Sequence, residues 1–125
     1  MKKILLTLLF FLSMSFAMEA QIVTPSPYEV CDDNNDGFAI FDLSTKTAEI
    51  LNGENPNNYV ITYHENVTDA SSDIFSIGTN YANLIAFIQT LYVRIENVTL
   101  GTFSVVDFDL VVSVAPTIIQ PNDLT

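Results

Sequence analysis

The sequence predicts an all-β protein, an Ig-like antiparallel β-sandwich with one short helix. Short runs in which apolar and polar residues alternate are separated by turn-forming Gly, Pro and Asn residues, as in antiparallel sandwiches. Apolar residues make up 49% of the chain and include many β-branched types, which favour strands. This apolar content is sufficient for one hydrophobic core rather than two.

The first half of the chain is predicted to contain the helix and three strands. Residues 44–53 form the helix, because hydroxyl side chains begin it and Asn52-Gly53 is a typical stop signal. A turn at residues 55–58 separates the helix from the next alternating run. The strands predicted in this half are residues 28–30, 38–42 and 59–64.

The second half begins with a long connection. Residues 65–80 are predicted to be a loop, and residues 82–88 remain ambiguous between helix and strand. The apolar phase of the last strand slips near Val106-Asp107, which predicts a β-bulge there. The strands predicted in this half are residues 91–96 and 102–114.

The N-terminus has the pattern of a secretory signal peptide. Lys2-Lys3 precede an almost wholly apolar stretch over residues 4–12, and small residues lead up to Ala20. The apolar stretch is too short to span a membrane, and the rest of the chain contains no candidate span. The mature protein is therefore expected to be secreted or exposed at the cell surface.

The tail repeats a pattern from the start of the mature chain. Pro121-Asn122-Asp123-Leu124 resembles Pro27-Tyr28-Glu29-Val30, which predicts that a second module follows in the same polypeptide. Neighbouring modules are then the expected partners. The predicted organisation is a signal peptide at 1–20, a lead-in linker at 21–27, a sandwich module at 28–115 and a linker into the next repeat at 116–125.

The charge of the chain excludes some partners. The formal net charge is −11, and Lys46 and Arg94 are the only basic residues after the leader. Nucleic acids and anionic membranes both demand positive charge, so neither is an expected partner. A surface this acidic suits solubility and cation binding.

An acidic loop follows the first strand. Asp32, Asn34 and Asp36 alternate and are followed at once by Gly37, which matches the first half of a calcium-binding loop. The second half of the motif is missing, because Leu43 stands where a helical calcium loop needs a bidentate Glu. The loop is therefore not an EF-hand.

Two interpretations of the acidic loop stay open. One is a structural Ca²⁺ site between two strands, which would relieve repulsion among carboxylates that have few basic neighbours. The other is a turn in which Asp and Asn side chains bond their own backbone. The candidate metal ligands are Asp32, Asn34, Asp36, the Phe38 carbonyl and Asp42.

Cys31 is the only cysteine of the chain. Cysteines of exported domains usually pair, so a single one is unusual. Two interpretations stay open: the thiol is buried as a small apolar group, or its disulfide partner lies outside this chain.

No catalytic motif is recognisable, and we expect the protein not to be an enzyme. His64, the only histidine, lies beside Glu65 at a strand end, where a surface residue is the usual interpretation. A carbohydrate-binding module is the alternative function, because tyrosines in strands can form a platform that stacks on sugars. These tyrosines are Tyr59, Tyr63, Tyr81 and Tyr92.

The order of sequence blocks resembles a repeat module of large surface proteins of gliding bacteria. The blocks are residues 31–43, 48–51, 60–64 and 91–97. The resemblance implies tandem Ig-like modules in an adhesin or cell-surface filament, exported by the type IX route and ending in a gliding-motility-type sorting domain. It also implies a second cysteine after the Gly101 turn, but Phe103 stands there. The expected function is that of a non-catalytic adhesion or structural module.

Overall fold

The computed structural model describes residues 21–116. The predicted signal peptide at 1–20 and most of the predicted C-terminal linker lie outside these residues. The described chain contains six strands, two α-helices and a 3₁₀ turn at Pro56–Asn58. The strands are β1 (Tyr28–Asp32), β2 (Ile40–Asp42), β3 (Tyr59–His64), β4 (Asn80–Ala82), β5 (Ile88–Asn97) and β6 (Thr102–Val114), and the helices are α1 (Ser44–Leu51) and α2 (Val67–Ser72).

Two sheets enclose the core, and the prediction of a small β-sandwich is confirmed. The larger sheet has four strands in the order β1-β6-β5-β3, and the smaller one pairs β2 with β4. Three of the four strand pairs are antiparallel, as predicted. The pair β1–β6 is parallel, with Tyr28 opposite Leu110 and Asp32 opposite Val114. A short hairpin forces antiparallel pairing, but β1 and β6 are far apart in sequence and are free of that constraint.

The core lies between the larger sheet and a layer formed by α1 and the β2–β4 pair. Tyr63 and Phe108 meet edge to face, with ring centroids 6.2 Å apart. The Tyr63 hydroxyl donates to the Leu43 carbonyl at 2.9 Å, which ties β3 to the start of α1. The buried cluster is Phe41, Leu43, Ile50, Tyr63, Tyr81, Leu91, Val93, Ile95, Phe108, Leu110 and Val112.

The predicted β-bulge in β6 is wrong. The register between β5 and β6 is unbroken from Ile88–Val111 to Asn97–Thr102. The apolar phase changes because the start of β6 is largely exposed and carries its apolar residues Phe103 and Val105 on the outer face, whereas Phe108, Leu110 and Val112 face the core. Phe103 lies on the outer face, and the Arg94 guanidinium stacks 3.7 Å from the centre of its ring.

The predicted loop at residues 65–80 contains the short helix α2. Asn66 begins this helix, because its side-chain Oδ1 accepts the backbone N–H of Asp69 at 2.8 Å. The helix covers the outer face of the larger sheet near Arg94, whose Nη1 donates to the carbonyls of Ala70 and Ser71. Six residues with few apolar positions carry too weak a periodicity to predict a helix.

The ambiguous segment at residues 82–88 is a connection between β4 and β5. Side-chain amides hold it: Asn83 Nδ2 donates to the Gly37 and Ile85 carbonyls, and Gln89 Oε1 accepts the Leu84 and Ile85 amides. Neither helix within residues 21–116 has the length and apolar character needed to cross a membrane.

The lead-in at residues 21–27 is irregular, as its prolines predict, and it is attached to α1. The Val23 amide donates to the Ile50 carbonyl at 3.1 Å. Lys46 is buried, and its Nζ donates to the Ser26 carbonyl at 2.9 Å and to Glu49 Oε2 at 2.8 Å. The hydrogen bond from Lys46, together with the Ser26 amide, lowers the pKa of Glu49 to about 2.

Candidate functional site

The acidic loop is built on the carboxylate of Asp32, which is 2% exposed. Its Oδ2 accepts the Gly37 amide at 2.6 Å, and its Oδ1 accepts the Asn34 amide at 3.1 Å. These two bonds close the loop onto the end of β1. The burial of Asp32 was not apparent from the sequence, since its neighbours are polar.

The other loop residues bond one another. Asn34 Nδ2 donates to Asp36 Oδ2 at 2.9 Å, and Asp36 Oδ1 accepts the Phe38 amide at 2.9 Å. Asp42 is engaged elsewhere, because its Oδ1 accepts the backbone amide of Ser44 at 3.1 Å at the start of α1. The structure therefore joins Asp32, Asn34 and Asp36 in one set of Asx turns, the arrangement of the second interpretation.

The calcium hypothesis stays a prediction. No group of three or more His, Cys, Asp or Glu side chains arranged to hold a metal ion is present within residues 21–116. In the arrangement described, Asn34 Nδ2 and four backbone amides donate to the side-chain oxygens of Asp32, Asn34 and Asp36 that Ca²⁺ would need. Cation binding would have to exchange these hydrogen bonds for metal bonds.

Gly37 joins the acidic loop to the segment before β5. Its φ is +81°, and an added Cβ would lie 2.9 Å from the Ala86 Cβ and 3.0 Å from the Phe87 ring. The Gly37 carbonyl accepts the Phe87 amide at 2.9 Å. Only glycine fits this contact, which places the loop beside the first residues of β5.

Cys31 is exposed, so the interpretation of a buried thiol is wrong. It lies on β1, at the edge of the larger sheet, opposite Ser113 of β6. Tyr28 and Val30 pack against the core, whereas Glu29 and Cys31 alternate onto the outer face. This alternation is readable from the sequence and could have predicted the exposure.

Exposed apolar side chains surround the same end of the molecule. Ile88 is opposite Val111 on the other side of β6 from β1, and it is 59% exposed. The Phe87 carbonyl accepts the Val112 amide at 2.8 Å. We call this region the thiol end; its exposed residues are Cys31, Leu84, Ile85, Phe87, Ile88 and Val114.

His64 and two of the tyrosines are structural. His64 is fully buried, which corrects the surface interpretation, with Nε2 2.9 Å from Thr62 Oγ1 and Nδ1 2.9 Å from the Ile74 carbonyl. Tyr63 and Tyr81 belong to the core, and burial raises the pKa of each hydroxyl to about 12. The predicted platform of four tyrosines therefore does not form.

An open cleft lies at the opposite end of the sandwich. Its volume is about 780 Å³, and it is bordered by the start of β3, the end of β5 and the turn before β6. It contains Tyr59 and Leu100 among polar side chains. The lining residues are Gln21, Ile22, Glu54, Asn58, Tyr59, Asn97, Thr99 and Leu100.

The fold and the thiol end together define a β-sandwich module whose single cysteine is exposed on an edge strand. Residues 27–116 match the Flavobacterium inter-domain disulphide bond domain, and the chain belongs to this family. No curated protein and no solved structure matches the chain. The resemblance to proteins of gliding bacteria is thus supported at the level of this domain family.

Proposed function

We propose that this protein is a non-catalytic β-sandwich module of an exported cell-surface or secreted protein, joined by Cys31 to a cysteine of a neighbouring domain. The observation that carries the proposal is the exposure of this single thiol on an edge strand. The description of the family names an inter-domain disulfide, and Cys31 is the only residue of this chain that can form one.

The chemistry is thiol–disulfide exchange. The Cys31 thiolate attacks the disulfide of a protein oxidant, and the partner thiolate then displaces the oxidant from the mixed disulfide. Two protons and two electrons leave the two thiols, and the oxidant is reduced to a dithiol. Such a bond persists outside the cytosol, which agrees with the predicted signal peptide.

Two observations support a structural role: no catalytic motif is recognisable in the sequence, and buried polar residues form hydrogen bonds within the fold. His64 and Lys46 have their hydrogen bonds within the fold. We further propose that the module belongs to a tandem array in an adhesin or surface filament exported by the type IX route. Two similarities support this part of the proposal: the order of sequence blocks resembles that of the surface-protein modules, and residues 121–124 resemble residues 27–30.

Differential alkylation tests whether Cys31 is oxidised. The exported protein is collected from the producing bacterium in N-ethylmaleimide, denatured, reduced and alkylated with iodoacetamide. Trypsin releases Cys31 in a peptide that ends at Lys46, the first basic residue after the leader. We expect that peptide to carry the iodoacetamide label, and an N-ethylmaleimide adduct on Cys31 would refute the disulfide.

Carbohydrate binding remains a second candidate, favoured by the cleft that contains Tyr59. Amide, hydroxyl and carboxylate groups beside an aromatic ring are the combination that binds sugar hydroxyls and ring faces. Glycan-array screening of the exported domain tests this function. Binding to one glycan class that is lost in Tyr59→Ala and kept in Tyr92→Ala would support it, and the absence of any bound glycan would reject it.

A further inference from the structure

Two positions of the chain have an Asp or Asn directly before a glycine, and the fold holds them in opposite ways. They are Asp36-Gly37 in the acidic loop and Asn52-Gly53 at the end of α1. Glycine has no side chain to shield its backbone nitrogen, so this nitrogen can attack the preceding side-chain carbonyl carbon and close a succinimide ring. Whether either pair reacts in the native protein depends on the contacts that hold it.

The fold protects Asp36-Gly37. The Gly37 nitrogen, which would have to attack, donates its hydrogen to the buried carboxylate of Asp32 at 2.6 Å. The Asp36 carboxylate accepts the Phe38 amide at 2.9 Å, and the Gly37 carbonyl accepts the Phe87 amide at 2.9 Å. Ring closure would break these bonds, so the folded loop resists it.

Asn52-Gly53 lacks such protection. Both residues are exposed, and nothing lies within 4 Å of a Cβ added to Gly53. The Gly53 amide forms no hydrogen bond with the backbone of residues 21–116, so its nitrogen is free to attack. Asn52 has a ψ of 44°, and the Asn52–Gly53 peptide must therefore turn over before the ring can close. The backbone bond that opposes this rotation joins the Glu54 amide to the Leu51 carbonyl in the same exposed turn.

We propose that Asn52 is a site of spontaneous deamidation in the folded protein. The Gly53 nitrogen forms a bond to Asn52 Cγ, and Nδ2 leaves as ammonia with the proton that Gly53 gives up. Water then opens the succinimide at either of its carbonyls, which yields aspartate or isoaspartate. The reaction needs only water, transfers no electrons and does not depend on the proposed disulfide.

The modification removes a contact of the lead-in. Asn52 Nδ2 donates to the Gln21 carbonyl at 3.1 Å. In the product a carboxylate oxygen replaces this nitrogen, and because an ionised carboxylate only accepts hydrogen bonds, two acceptors then face each other. The new charge also lies at the C-terminus of α1, where the helix dipole disfavours anions. Deamidation therefore loosens the lead-in where Gln21 and Ile22 border the cleft.

Incubation in heavy-oxygen water tests the site, because opening of the succinimide places a labelled oxygen in the product. The folded exported protein and the same protein unfolded in guanidinium chloride are incubated at mildly alkaline pH, digested with trypsin and sequenced by mass spectrometry. We expect the folded protein to carry the label at Asn52 and not at Asp36, and the unfolded protein to carry it at both. A folded protein without label at Asn52 would overturn the proposal, and so would one with equal label at Asp36 and Asn52.

Two matched substitutions test the effect on the lead-in. Asn52→Asp reproduces the charge of one product, and Asn57→Asp places the same charge on the exposed turn before β3. The readout is hydrogen exchange of the Val23 amide, which donates to the Ile50 carbonyl at 3.1 Å. We expect this amide to lose protection in Asn52→Asp and to keep the wild-type exchange rate in Asn57→Asp. Equal exchange rates in the two variants would show that the lead-in does not depend on Asn52.

Discussion

Gly37 is the residue on which the packing of the acidic loop most depends. It has a positive φ and also leaves no room for a side chain against Ala86 and Phe87. Gly53 has a similar φ of +87°, but nothing lies within 4 Å of an added Cβ. Alanine substitutions at Gly37 and Gly53 therefore separate the cost of backbone strain from the cost of a steric clash.

We expect Gly37→Ala to destabilise the domain more than Gly53→Ala. Backbone strain alone costs about 1 kcal/mol, and overpacking adds about 1 to 3 kcal/mol at Gly37. Urea unfolding of the two variants measures the difference. Equal losses of unfolding free energy would mean that the loop moves away from Phe87 at no cost.

The calcium hypothesis is tested on the acidic loop itself. It predicts that calcium at a hundredfold its dissociation constant adds about 2.7 kcal/mol to the unfolding free energy, which raises the melting midpoint by about ten degrees. Asp36→Ala should remove this response, and Asp33→Ala should keep it, because Asp33 is exposed outside the hydrogen-bonded set. A melting curve unchanged by chelator would leave the loop as a set of Asx turns.

Single residues differ in how far the sequence determines their roles. The exposure of Cys31 follows from strand alternation, and Gly37 takes the positive φ that is common for a glycine in an Asx-rich turn. Asp32 and His64 are buried together with hydrogen-bond partners five and ten residues further along the chain, the Gly37 amide and the Ile74 carbonyl, which only the folded turns bring into contact. Local patterns carry no information about such contacts.

At the scale of secondary-structure elements, two charged side chains of helix α1 hold the lead-in at residues 21–27. Lys46 Nζ bonds the Ser26 carbonyl and the Glu49 carboxylate, and the Ser26 amide donates to Glu49 Oε1 at 2.7 Å. These bonds favour ionised Glu49, so its pKa falls from 4.5 to about 2. The ionised carboxylate thus contributes to stability above its ordinary pKa.

Lowering the pH should remove the contribution of ionised Glu49 to the unfolding free energy. Because the folded pKa lies below the unfolded one, the stabilisation is complete above pH 4.5 and is lost as the pH falls towards 2. We expect Glu49→Gln to lose less unfolding free energy than the wild type over this interval. Urea unfolding at several pH values measures it, with Glu54→Gln as the control; identical pH profiles for the wild type and Glu49→Gln would contradict the assignment.

The sequence predicted the elements better than their pairing. The helix α1 and strands β3, β5 and β6 have clear periodicity and turn signals, and the structure contains all of them. The direction of β1 and the unbroken register of β6 depend on tertiary contacts instead. Apolar residues on the outer face of β6, such as Phe103 beneath the Arg94 guanidinium, look like a change of phase when only the sequence is read.

At the scale of the whole molecule, the two ends of the sandwich have different features. The thiol end carries Cys31, the acidic loop and the chain exit, and the opposite end carries the chain entry and the open cleft. The class of fold was predictable from composition and turns. The placement of these features at opposite ends was not predictable, because it results from the parallel pairing of β1 with β6.

The cystine map of the exported polypeptide tests the central claim most directly. Peptides are prepared without reduction after the free thiols are blocked, and the linked pairs are sequenced by mass spectrometry. We predict that the peptide carrying Cys31 and ending at Lys46 is joined by a disulfide to a cysteine peptide of a neighbouring domain. Recovery of the same peptide unlinked, with a blocked thiol at Cys31, would contradict the claim.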